Sequence, residues 1–222
     1  MEFTQNDKTF SNWALIHSCK PKYFHQPSSV EEVIEIVKYA ISNQEKVKVI
    51  GSMHSPNDIA LTDDHLISLD NMCQIIALKK EKSAVKCQAG IRLHQLNTEL
   101  EKAGWGVKNF GSITEQSIGG LISTGSHGTG INYGVIATDI LYIQIVTGTG
   151  EIIECSPKKN QDIFKAAQCG LGVIGIVTEV ALAIEPLCFI ESAQYALTFS
   201  EMINDMDKLA NSGGMSLATT AY

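Results

Sequence analysis

Clustered positive charge is what this sequence most lacks. Its 17 Lys and Arg are scattered among 24 Asp and Glu, which leaves a formal charge of −7 over 222 residues. Nucleic acids and anionic membrane surfaces are held by grouped basic side chains, so neither is an expected partner. Long apolar runs are missing too: none approaches the roughly 20 residues of a membrane-spanning helix. The opening Met1-Glu2-Phe3-Thr4-Gln5-Asn6-Asp7 has neither a basic nor an apolar segment, so no targeting signal is expected. These absences predict a soluble, intracellular chain.

The six cysteines include no CxxC pair, and no secretory signal accompanies them. They are expected to be reduced and mostly buried. Neither they nor the six histidines fall at metal-ligand spacing, so no metal site is expected. Nucleotide fingerprints are absent as well. No GxGxxG follows the first strand, no acidic residue lies about twenty positions beyond it to take a ribose, and no GxxxxGK[ST] occurs. With 44% hydrophobic and 18% charged residues, the composition is that of a globular α/β protein. The length allows one large domain plus part of another.

What is present begins with Val49-Ile50-Gly51-Ser52-Met53-His54-Ser55-Pro56, where an apolar run stops at a Gly-Ser pair. The backbone must turn there and present amides, a hydroxyl and an imidazole to whatever lies above. The preceding segment predicts a helix. Ser28 is placed to cap it and Glu31 to close a capping box, and Val30, Val33, Ile34, Val37, Ala40 and Ile41 recur on one face. Asn43-Gln44 ends it and residues 47–50 form a strand into the turn. Strands are expected at 66–69, 74–78 and 84–89, and then a helix carrying Leu93, Leu96, Leu100 and Ala103 that Gly104 stops.

Residues 109–130 form a second glycine-rich stretch, with six glycines and many Ser and Thr between them. Such density lets a backbone approach a ligand closely and adds hydroxyl donors. Strands at 139–146 and 151–155 flank the turn 147–150, a short helix covers 162–169, and a long β-branched run spans 173–184. The domain boundary is placed at Pro186. Beyond it, a strand over 189–197 and a helix over 201–210 capped by Ser200 are too little for a separate core. Residues 1–20 carry Phe3, Phe10 and Trp13 and are expected to pack on a neighbour. A compact diphosphate would have to be held by oriented amides and hydroxyls, because basic residues near both stretches are few.

Four segments in order carry a family resemblance: His25-Gln26-Pro27-Ser28 with its helix, Gly51 to Ala60, Gly119 to Gly130, and Gly172 to Thr178. They resemble the FAD-binding domain of the vanillyl-alcohol oxidase family, and within it the sugar-1,4-lactone oxidases. The resemblance implies an α+β, PCMH-type FAD-binding domain made of two α/β subdomains. It would occupy residues 21–186, with subdomains of about 21–90 and 91–186. Residues 1–20 would be an arm and 187–222 the short start of a second domain.

The resemblance further implies that His54 is bonded to the flavin. FAD would also be contacted by Gly51, Ser52, Met53, Ser55, Gly111, Ser112, Ser117, Ile118, Gly119, Gly120, Thr124, Ser126, His127, Gly128, Gly175 and Ile176. On local sequence alone, several of these positions also suit a purely structural role. His54 and His127 could be loop histidines held by backbone groups, Ser112 and Ser117 simple caps, Gly119 and Gly120 helix-start glycines, and Gly175-Ile176 a buried strand. His17, His25, His65 and His94 are expected to be surface or core residues.

The activity implied is oxidation of an aldonolactone, with electrons passed to oxygen to give an ascorbate-type product and hydrogen peroxide. In that family a cap domain supplies the substrate-binding and catalytic side chains. Nothing here matches it, so no catalytic residue is identifiable and a chain truncated before the cap is expected. The alternative is a flavin-binding fragment or paralogue without turnover. Full-length members of the family can associate with membranes, and the sequence does not set an oligomeric state.

Overall fold

The computed structural model describes residues 7–130, 132–189 and 196–210. Phe10–Ser11 (β1) and Ser18–Cys19 (β2) pair antiparallel as a small arm. Tyr23–His25 (β3), Val47–Ile50 (β4) and His65–Ser68 (β5) form a parallel sheet in the order β3-β5-β4, crossed over by the helix Val30–Asn43 (α1).

A second, antiparallel sheet runs β10-β9-β11-β7-β6. Its members are Ile75–Lys79 (β6), Ala84–Gln88 (β7), Ile140–Val146 (β9), Ile152–Cys155 (β10) and Ile176–Pro186 (β11). Trp105–Val107 (β8), which the sequence did not suggest, pairs with the last residues of β11. Leu93–Lys102 (α2), Ile118–Ser123 (α3) and Gln161–Ala167 (α4) cover this sheet, and Phe199–Asn204 (α5) and Met206–Ala210 (α6) follow it. The β6–β7 hairpin, placed by sequence on the 21–90 side of the expected division, is hydrogen-bonded to β11. By sheet membership the change therefore falls between Ser68 and Ile75.

The start of α1 moves by one residue. Ser29, not Ser28, is the N-cap and accepts from the Glu32 amide at 3.2 Å, while the Glu32 carboxylate returns to Ser28 N–H at 2.7 Å. That register buries Val33, Ile36, Val37 and Ala40 and leaves Ile41 half exposed. Burying each large aliphatic side chain is worth about 1.5–3 kcal/mol, so the buried face rather than the cap decides the register. Val33, Ile36 and Val37 share a cluster with Ile67 of β5, Val146 of β9 and Ile176 of β11, so α1 joins the two sheets.

A larger cluster lies under the second sheet, where Val180, Leu182 and Ile184 meet Leu93, Leu96, Leu100, Leu121 and Ile122. β11 alternates buried and half-buried residues from Ile176 to Ile184, the period-2 signature of a strand with one face on a core. Its start falls three residues later than expected, because 170–175 is a turn with Leu171, Gly172 and Gly175 at positive φ. Near the end, Thr198 rather than Ser200 caps the helix, with Glu201 completing a capping box. The strand expected over 189–197 falls mainly on residues outside those described, as does Phe3. Of the cysteines, Cys19, Cys87 and Cys155 are buried and Cys169 and Cys188 exposed, and all six are free thiols.

Candidate functional site

One cleft of about 580 Å³ lies between the two sheets, within the size range of cofactor and small-molecule sites. Three segments bring most of the expected residues to it. The turn after β4 contributes Gly51, Ser52, Met53, His54 and Ser55; α3 contributes Ser117, Gly119, Gly120 and Thr124; the entry to β11 contributes Gly175 and Ile176.

The remaining expected residues do not line it. Ile118 is 1% exposed and packs in the larger core, since the helical turn that aims Ser117 outward sends the next side chain inward. Gly111, Ser112, Ser126, His127 and Gly128 lie on two loops that close on each other: a Cβ on Gly128 would stand 2.1 Å from Asn109 Oδ1 and 2.7 Å from the Phe110 carbonyl. His127 is exposed and its Nδ1 lies 2.7 Å from the Gly128 carbonyl, which is the loop-fixing role.

Ser117 Oγ accepts from the Gly120 amide at 3.3 Å, which caps α3. Gly119 N–H donates to Ala89 O at 2.8 Å, and Ala89 N–H donates to Thr178 O at 2.9 Å. Thr178 is the extra residue where the β11–β9 register shifts between Val177 and Glu179. The bulge interrupts the pairing with β9 only: on its other side Thr178 continues the β11–β7 register, and its carbonyl anchors Ala89 and, through it, α3 beside the cleft.

In the turn after β4, the N–H groups of Ser52, Met53, His54 and Ser55 donate no hydrogen bond to any described residue. Ser52 Oγ and His54 Nδ1 are buried and without a partner among the described residues. Buried polar groups are satisfied in the great majority of proteins, so the unused donors and acceptors on this cleft wall are available to a polar ligand or to water. Among the described residues, the only ionisable side chains lining the cleft are Glu45, Lys48 and His54. An anion bound here is met by amides and hydroxyls more than by cations.

At one end of the cleft, Glu45 enters a buried chain of polar contacts. His65 Nε2 lies 2.7 Å from Glu45 Oε2, and His65 Nδ1 lies 2.9 Å from His25 Nε2. The Glu45 carboxylate also pairs with Lys22, and the Lys22 and His65 bonds hold it below the usual carboxylate range. Burial, with the neighbouring His65 second, depresses His25 to about 4. Among the described residues no group of His, Cys, Asp and Glu is arranged to hold a metal, and no helix is long and apolar enough to cross a membrane.

The sequence did not point to the apolar lining: Val37 and Ile41 from α1, Val49 from β4, and Leu171 and Val173 from the turn before β11. Ile41, Leu171 and Val173 are large apolar side chains left 50%, 52% and 79% exposed. Large apolar residues set between the glycines of a turn are the signal that could have found the last two.

Two α/β halves with an amide-lined cleft between them define a nucleotide-cofactor flavoprotein domain, and the chain belongs to the FAD binding domain family, whose model matches residues 21–156. The fold is the PCMH type. It superimposes with a TM-score of 0.69 on the crystal structure of 6-hydroxy-D-nicotine oxidase from Arthrobacter nicotinovorans, at 25% identity over 75% of this chain and 37% of that one. L-gulonolactone oxidase of Scyliorhinus torazame is 37% identical over 89% of this chain and 45% of its own length. D-arabinono-1,4-lactone oxidase of Kluyveromyces lactis is 36% identical over 90% of this chain and 39% of its own length. The chain thus spans less than half the length of these relatives.

Proposed function

We propose that this chain is the FAD-binding part of an aldonolactone oxidase, with FAD held in the cleft and attached through His54. The observation that carries the reading is the pair of buried, unpartnered atoms, Ser52 Oγ and His54 Nδ1, on the wall of a cleft in a member of the FAD binding domain family. The donor set fits the cofactor. Unused amides at 52–55 and the hydroxyls of Ser52, Ser55 and Ser117 suit a diphosphate, and Val37, Ile41, Val49 and Ile176 suit flat aromatic rings. Bound there, FAD would supply two-electron oxidation of the substrate. An imidazole nitrogen is a competent nucleophile, which suits a covalent tether at His54.

The lactone reading rests on the likeness to the two named oxidases. We assign residues 21–186 to the FAD-binding domain and 187–222 to the start of a substrate domain. Among the described residues only Glu45, Lys48 and His54 are ionisable in the cleft lining, which offers few groups for sugar binding and proton transfer. That observation favours, as the second reading, a flavin-binding module without turnover. Purified chain should be yellow, its acid-precipitated protein should remain fluorescent, and it should release hydrogen peroxide on adding L-gulono- or D-arabinono-1,4-lactone. Colour without peroxide selects the second reading. A chain that stays colourless after incubation with FAD overturns both.

A further inference from the structure

The arm β1–β2 packs against the turn that lines the cleft, and one of its contacts runs through a buried side-chain amide. Asn12 is 2% exposed, and every polar group it has is used. Its N–H donates to His17 O at 3.0 Å and its carbonyl accepts from Leu15 N–H at 2.9 Å, which close the hairpin. Its side-chain Oδ1 accepts from the Ile16 and His17 amides at 3.1 and 3.2 Å. The remaining donor, Nδ2, leaves the hairpin altogether and reaches Ser55 O at 3.1 Å, 43 residues away. The next residue does the same through its main chain: Trp13 N–H donates to Met53 O at 3.0 Å. Two consecutive arm residues therefore hold the carbonyls on either side of His54.

That arrangement matters because the turn is otherwise poorly determined. Met53 has φ of +57°, a left-handed conformation that a non-glycine residue holds only when its surroundings enforce it. All peptide bonds in the described chain are trans. With the Met53 carbonyl fixed on the arm, the N–H of His54 in the same peptide unit must point the opposite way. Ser55 is followed by Pro56, which has no N–H, so this peptide unit offers only its carbonyl for hydrogen bonding. The Trp13 ring lies over the His54 ring at a centroid distance of 6.1 Å and 23° between planes.

We propose that Asn12 is a positioning residue for the FAD site: by binding Ser55 O it fixes the 53–55 backbone in the conformation that presents the His54 amide and the neighbouring N–H groups to the cofactor. This rests on the FAD reading above. Asn12 itself does not line the cleft, so it acts only through the turn.

The test uses the full chain carrying His54→Ala, in which any FAD is exchangeable, with Asn12, Asn12→Ala or Asn12→Asp. Aspartate keeps an oxygen for the Ile16 and His17 amides and replaces the donor to Ser55 by a second, charged acceptor, so it breaks the bond to the turn while leaving the hairpin bonds. Both variants should bind FAD about tenfold or more weakly, as expected for a lost hydrogen bond and an orphaned carbonyl. For Asn12→Asp the loss should persist at high salt, which screens any charge effect on the diphosphate. It should come with a shifted visible spectrum of the bound flavin and faster hydrogen exchange at 53–55. Parent-like affinity and spectrum in Asn12→Asp overturn the Asn12 role alone. Failure of the parent with intact Asn12 to bind FAD overturns the FAD reading, and this inference falls with it.

Discussion

Gly51 and Ser117 stand against each other where the two halves of the fold meet, so closely that a Cβ on Gly51 would lie 2.4 Å from Ser117 Oγ and 3.3 Å from Ser117 Cβ. The turn after β4 and the start of α3 form opposite walls of one cleft, and the missing side chain at 51 sets their separation. Gly51→Ala should push the walls apart, lowering stability by about 1–3 kcal/mol and reducing flavin content. Adding Ser117→Ala removes the nearer clash and should recover part of the loss despite the lost cap. A double-mutant cycle on melting temperature and bound flavin measures the coupling, and strictly additive effects would show that the two residues do not meet.

Gly175 and Gly119 should respond unequally to alanine. Gly175 has φ of +144°, and a Cβ there would stand 2.5 Å from Val146 O and 2.6 Å from Ile145 Cγ2. Gly119 has ordinary helical geometry, with a Cβ 3.2 Å from Ala89 Cβ and O. Gly175→Ala should cost about 3 kcal/mol or more, combining strain with backbone overlap, and Gly119→Ala distinctly less. Urea denaturation of the two variants gives the ranking directly.

Stability should fall on mild acidification. His25 is depressed from 6.5 to about 4 in the folded chain, chiefly by burial. Between those pH values the unfolded chain takes up a proton at this site and the folded chain does not. Its contribution is thus complete above pH 6.5 and is lost as pH falls toward 4, by about 2–3 kcal/mol. Glu45 is lowered from 4.5, so its contribution also disappears on acidification, at lower pH. His25→Asn should flatten the profile of unfolding free energy between pH 6.5 and pH 4. An unchanged slope would remove His25 as its origin.

Thiol labelling should divide the cysteines sharply. Cys169 and Cys188 are exposed, whereas Cys87 is fully buried and its thiol is pushed up to about 12, mainly by burial and then by Glu179. Mass spectrometry after brief alkylation at neutral pH should find Cys169 and Cys188 modified and Cys87 untouched. Labelling of Cys87 at a similar rate would mean that the second sheet opens under native conditions.

The legible parts of this molecule were those with a strong local period or a dense chemical signal. α1, β7, α2 and β9 follow from spacing alone, and the 51–55 turn, Ser117 to Thr124 and Gly175-Ile176 follow from Gly and Ser/Thr density at element ends. The capping of α1 was missed by one residue because two serines precede two glutamates, so both registers look alike locally. Burial of Ile36 separates them. The loops at 111–112 and 126–128 carry the same composition as the cleft wall yet pack on each other, and no local pattern distinguishes a glycine that admits a ligand from one that admits a neighbouring loop. The bulge at Thr178 and the bond from Asn12 to Ser55 are tertiary facts joining segments far apart in sequence.

β11 occupies the middle of the second sheet, with β9 on one side and β7 on the other, although it is the last strand of that sheet to be made. Until residues 176–186 leave the ribosome, β6–β7 and β9–β10 exist as separate hairpins with open edges. Closing the sheet then requires pairing over long sequence separations, which is slow and leaves those edges available to other chains. The same strand carries the Thr178 carbonyl that anchors Ala89 and α3. The cleft therefore gains its Gly175 to Val177 wall only when this strand has been made, after the other described strands of the sheet.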